Sequence, residues 1–116
     1  MYKIFKRSID QIMIKVVENK IDEIKKLCQE MQVQSLYLFG SGTNEKKFTQ
    51  KSDLDFLFQF KKDKHGSPVS GYDYFDLLFE LERITGKRID LVAEEKIKNK
   101  FFLHRVNREK IKIYES

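Results

Sequence analysis

Apolar residues at Ile21, Ile24, Leu27, Cys28 and Met31 recur at helical spacing with charges between them, and Ile9, Ile12, Met13, Val16 and Val17 repeat that spacing just upstream. The pattern predicts one long helix or two helices broken near Asn19. The period then changes. "SLYLF", residues 35–39, is a short apolar run ending at a glycine, and residues 54–60 are a second run, rich in aromatics; both predict strands. Residues 41–52 are polar and predict a loop, or a short helix with a loop. "KKDKHGSPVSG", residues 61–71, holds the only proline and is a connecting loop. "YDYFDLLFELERIT", residues 72–85, is the clearest helix: Ser70 suits the N-cap, Asp73 and Asp76 fall in or near the first turn, and Gly86 follows as a stop. "KRIDLVA", residues 87–93, predicts a third strand. Residues 94–110 predict a further helix with Ile97, Phe101 and Val106 among its apolar positions, and "IKIY", residues 111–114, a last short strand or an extended tail. The order predicts an α+β fold (a two-layer α/β arrangement) with a small mixed β-sheet and helices packed on it.

At 116 residues the chain predicts a single domain, with residues 1–19 as an extra N-terminal helix. A chain of this size buries about two-thirds of its unfolded surface, enough for a core without metal or disulfide staples. The single cysteine, Cys28, excludes an intrachain disulfide and a cysteine metal cluster, and it lies in the apolar stripe, where it reads as core filler. A reducing, cytoplasmic setting follows as the simplest expectation. No apolar run approaches the ~20 residues that span a bilayer, so no membrane partner is expected. The net charge of +5 favours phosphate-bearing or acidic partners only weakly, because 18 acids are mixed among 23 bases. The densest basic run, "KIKNKFFLHRVNREKIK", reads as a solvated helix face; the other reading is a contact with nucleic acid or an acidic protein. His65 and His104 have no evident ligand partners in sequence and read as structural or solvated. Tyr72 and Tyr74 read as helix packing, with contact to a base in a cleft as the other reading.

The acids inside the apolar runs are the chemical signal. Alternate residues of a strand share a face, so Asp53 and Asp55 point the same way, roughly 7 Å apart, while Leu54, Phe56, Phe58 and Phe60 point into the core. Asp90 lies between Ile89 and Leu91 in another apolar strand. If that strand pairs beside residues 54–60, Asp90 joins the other two. Two like charges about 4 Å apart repel by roughly 4 kcal/mol at an effective dielectric near 20, a large share of a domain's stability of ~5–15 kcal/mol. Such a cluster calls for protonation, cationic neighbours or a bound cation. Oxygen-only ligation suits Mg2+ or Mn2+, which also bind phosphates. Gly40, Ser41 and Gly42 close the first apolar strand, and a glycine turn there exposes backbone N–H groups suited to phosphate.

The spacing of "LFGSG" (residues 38–42), "SDLDFLF" (52–58) and "IDLV" (89–92) resembles the nucleotidyltransferase superfamily that shares its fold with DNA polymerase beta, and the small size looks like its minimal nucleotidyltransferase domains. The resemblance covers residues from about 20 to 114. It implies that Gly40 and Ser41 hold the triphosphate of a nucleoside triphosphate and that Asp53 and Asp55 ligate magnesium. Asp90 would complete the metal site and help deprotonate the attacking hydroxyl. The implied reaction transfers a nucleoside monophosphate, AMP from ATP, with loss of pyrophosphate. Minimal members of the family are often antitoxins paired with a small helical HEPN-type toxin protein, and some resemble enzymes that adenylylate a tyrosine of it. A partner protein is therefore the implied acceptor.

This sequence departs from the family's frequent Gly-Ser-Arg-x-x-Gly turn, carrying "GSGTNEKKF" in its place, with Lys46, Lys47 or Lys51 as candidate cations. The alternative expectation is therefore a catalytically inert module that neutralises a partner by contact. A small nucleic-acid-binding domain is a third reading; it rests on the basic run alone.

Overall fold

A computed structural model of the chain describes residues 15–39 and 54–116. Residues 15–18 are helical, and the chain turns at Asn19 and Lys20 before α1 (Ile21–Glu30). The break near Asn19 is therefore present. Most of the expected extra helix over residues 1–19 lies outside the described residues. After α1 come β1 (Val33–Phe39), β2 (Leu54–Phe60), α2 (Tyr74–Thr85), β3 (Ile89–Ala93), a short 3-10 turn (Glu94–Lys96), α3 (Lys100–Glu109) and β4 (Ile111–Glu115). The four strands form one mixed sheet in the order β3-β2-β1-β4, antiparallel except for the β2–β3 pair, which is parallel. The α+β reading and the mixed sheet both hold.

Each face of the sheet follows from strand alternation. On one face Leu36 and Leu38 of β1, Leu54, Phe56 and Phe58 of β2, and Ile89 and Leu91 of β3 pack against Ile24, Leu27 and Cys28 of α1 and Leu77, Leu81 and Ile84 of α2. On the other face Phe39 and Leu57 are buried with Val106 of α3, and Tyr37, Val92, Ile97 and Phe102 pack around them. The helices thus cover one face with α1 and α2 and part of the other with α3. Among the described residues no helix is long and apolar enough to cross a membrane.

Two local expectations are corrected. The N-cap of α2 is Asp73, not Ser70: Asp73 accepts from the Asp76 N–H while Asp76 accepts from the Asp73 N–H, a complete capping box. Ser70 accepts instead from the Tyr72 N–H in the preceding turn. The helix expected over residues 94–110 is divided. Asn99 caps α3, accepting from the N–H groups of Phe101 and Phe102. This later start sets the phase of α3, so Phe102 and Val106 face the sheet while Phe101 is 90% exposed. At the other end of α2, Gly86 takes the left-handed conformation (φ 68°) and its N–H donates to the Glu82 carbonyl, so the predicted stop is real.

Candidate active site

β2 and β3 are joined by α2, so they run parallel with their first residues side by side. Leu54 pairs with Ile89 and Asp55 with Asp90. In the antiparallel direction Asp55 also pairs with Phe39, the last residue of β1. Phe39, Asp55 and Asp90 therefore form one row across three strands at one end of the sheet. They share the face on which Leu57 and Val92 meet α3, opposite the α1–α2 layer. Neighbouring strands lie about 4.8 Å apart, which sets the spacing of the two carboxylate-bearing backbones.

Their environments differ. Asp55 is 8% exposed and is one of two buried polar residues among those described; Asp90, on the edge strand, is exposed. A half-wet pair of this kind suits ligation of a hard cation, because one carboxylate is fixed by its surroundings and the other is open to solvent and ligand. The Leu54 N–H donates to the Arg88 carbonyl at 2.9 Å, which continues the β2–β3 ladder one step past the acids and pins their register.

Of the five residues expected at the site, Asp55 and Asp90 are brought together. Gly40, Ser41 and Asp53 lie outside the described residues. Among the described residues no three His, Cys, Asp or Glu side chains form a metal-holding group. The donor chemistry of Asp55 and Asp90, hard oxygens only, fits Mg2+ or Mn2+ and does not fit zinc, which prefers nitrogen and sulfur. His65 and His104 are both exposed.

Tyr74 is a residue whose positioning role the sequence did not reveal. Its hydroxyl donates to the Leu91 carbonyl at 2.7 Å, tying the first turn of α2 to β3 one residue beyond Asp90. Burial, then the negative charge of Asp90 and of Glu82, pushes the Tyr74 hydroxyl pKa up. A tyrosine at a helix start carries no periodic signal that separates such a bond from ordinary packing.

The family described as "Polymerase beta, Nucleotidyltransferase" matches residues 22–116. A Methanocaldococcus jannaschii protein named "putative protein adenylyltransferase" is 34% identical over 77 residues, 66% of this chain and 73% of that one. A solved structure of a "putative minimal nucleotidyltransferase" superposes with a TM-score of 0.64 at 26% identity, covering 84% of this chain and 93% of that one. The fold also matches a chain from the complex of a tri-AMPylated Shewanella oneidensis HEPN toxin with its MNT antitoxin, at a TM-score of 0.52 and 19% identity, covering 88% of this chain and 72% of that one.

Proposed function

The chain belongs to the polymerase beta nucleotidyltransferase family, and from that premise we propose that it is a magnesium-dependent transferase moving AMP from ATP to a hydroxyl of a small helical HEPN-type toxin, as its antitoxin. The observation that carries the reading is the register of Asp55 against Asp90. Two acids opposite each other on adjacent parallel strands offer hard oxygen ligands for one cation. The names of the archaeal relative and of the toxin complex support a protein acceptor and an adenylyl group.

In this reading the acceptor oxygen attacks the α-phosphorus of ATP, a new P–O bond forms, and the bond to the bridging oxygen of pyrophosphate breaks. The hydroxyl proton passes to Asp90, whose exposure lets it return the proton to water. Asp53 and Asp55 hold the cation with Asp90, and Gly40 and Ser41 hold the triphosphate. Divalent cations bound there would neutralise phosphate charge and stabilise the attacking and leaving oxygens of the in-line displacement. Positioning and charge neutralisation supply most of the catalysis in such transfers. Cytoplasmic residence belongs to the same reading.

The test is a thermal-shift titration with each magnesium nucleoside triphosphate, followed by transfer of label from α-labelled ATP to the co-produced toxin. A magnesium-dependent shift and labelled toxin are expected. A folded chain that shifts with no nucleotide and labels nothing would instead be an inert module acting by contact.

A further inference from the structure

The aromatic rings of β2 and α2 form a continuous chain that leaves the core. Phe60 meets Phe58 at 5.1 Å between centroids, Phe58 meets Tyr74 at 6.0 Å, Tyr74 meets Phe75 at 5.1 Å, and Phe75 meets Phe79 at 6.1 Å. The inner end is packed and the outer end is not: Phe75 is 57% exposed, Phe79 59% and Tyr72 49%. Beside Phe75 opens a cavity of about 850 Å³, walled by Phe58, Phe60, Tyr72 and Phe75 and edged by Lys62 and Glu95, which pair with each other. Single exposed apolar residues are ordinary. Rings one helical turn apart beside a cavity make a contiguous patch, which marks an interaction surface.

The α2 side of this patch is acidic in a basic chain, while the cavity's other rim carries Lys62 and Lys96 with Glu95. Residues 72–85 carry Asp73, Asp76, Glu80 and Glu82 against Arg83 alone, in a protein of net charge +5. Asp73 and Asp76 are exposed and held in place by their capping box. We infer that this face docks a basic amphipathic helix of a partner protein, with an apolar side chain entering the cavity beside Phe75 and lysines or arginines facing Asp73 and Asp76. Helix-in-groove recognition of this kind is anchored by apolar residues one turn apart.

A second copy fits less well. Two α2 faces brought together would set Asp73 and Asp76 against acids of the same kind. The α3 of another copy is basic and exposes Phe101, but α2 and α3 lie on opposite faces of the sheet. That contact would be head to tail, building a ring or a filament of copies rather than a two-fold dimer. The cavity's lining begins at Phe58, three residues past Asp55, and at Leu91, one residue past Asp90 but on the opposite face of the sheet, the face covered by α1 and α2. The inference deepens the reading given above and rests on it for the partner being a protein.

The experiment uses the full chain and two labelled synthetic amphipathic helices, one of leucine and lysine and one with glutamate in place of each lysine, titrated by fluorescence anisotropy. The wild type should bind the lysine helix at least tenfold more tightly than the glutamate helix. This preference cannot come from overall charge, since the chain is itself basic. Phe75→Ser with Phe79→Ser should weaken the lysine helix at least tenfold and leave the magnesium-nucleotide shift unchanged; both rings are exposed, so the fold tolerates the change. Equal binding by wild type and variant, no binding by wild type, no preference for lysine, or wild-type self-association lost in the variant would each overturn the inference. A chain with this peptide pattern and no nucleotide shift loses only the enzymatic reading; a nucleotide shift without the pattern loses only the docking face.

Discussion

Asp55 and Asp90 stand opposite each other in the parallel β2–β3 ladder, one buried and one exposed. Asp90→Asn should remove the magnesium-dependent nucleotide shift, which for wild type amounts to about 2.7 kcal/mol at 100 times the dissociation constant. Asp55→Asn should lower AMP transfer by at least 100-fold. Full transfer by either variant would detach the acids from the chemistry.

The start of α2 rests on Asp73, whose carboxylate accepts from the Asp76 N–H at 3.0 Å while Asp76 reciprocates at 2.9 Å. Asp73→Ala should cost about 1 kcal/mol of unfolding free energy, and Ser70→Ala much less. Comparable losses in the two variants, read by chemical denaturation, would contradict the assignment of the cap.

The strands were legible as short apolar runs rich in β-formers between polar stretches; residues 54–60, with three phenylalanines, show this most clearly, and the strand bounds there match. Pairing was not legible. Nothing local to Asp55 or Asp90 states that β3 lies beside β2; that follows from the crossover through α2, a property of the whole chain. The phase of α3 was misread at Phe101 because "FFLHRV" offers two adjacent phenylalanines, and only the Asn99 cap decides which one faces the sheet. The cap of α2 was misread for a related reason. Ser70 and Asp73 are both good caps, and the reciprocal bond from Asp76 selects the second. Gly40, Ser41 and Asp53 stay proposals from the sequence, since they lie outside the described residues.

Tyr74 supports the site from behind. Its bond to the Leu91 carbonyl joins α2 to the edge strand that carries Asp90. Tyr74→Phe keeps the ring contacts with Phe58 and Phe75 and removes only the hydroxyl. The expected cost is about 1 kcal/mol. Hydrogen exchange should quicken at β3 more than at β1, and a uniform change across the sheet would argue against a local tie.

Cys28 makes stability depend on alkaline pH. The thiol is completely buried in the α1 stripe, and burial lifts its pKa from 9.0 to about 12. A group whose folded pKa is raised contributes its stability in full below the unfolded value and loses it as pH climbs to the folded value. The native state should therefore weaken between about pH 9 and pH 12, by up to about 4 kcal/mol at the upper end. Tyr37 adds to the same window: its hydroxyl donates to Glu115, which with burial raises it from 10.0 to about 12, though its exposure makes that share small. Cys28→Ala removes the thiol's ionisation at the cost of a small cavity, about 1 kcal/mol at neutral pH. Urea midpoints at pH 7.5, 9.5 and 11 should fall steeply for wild type and more gently for the variant. Parallel falls would place the alkaline sensitivity elsewhere than at the buried thiol.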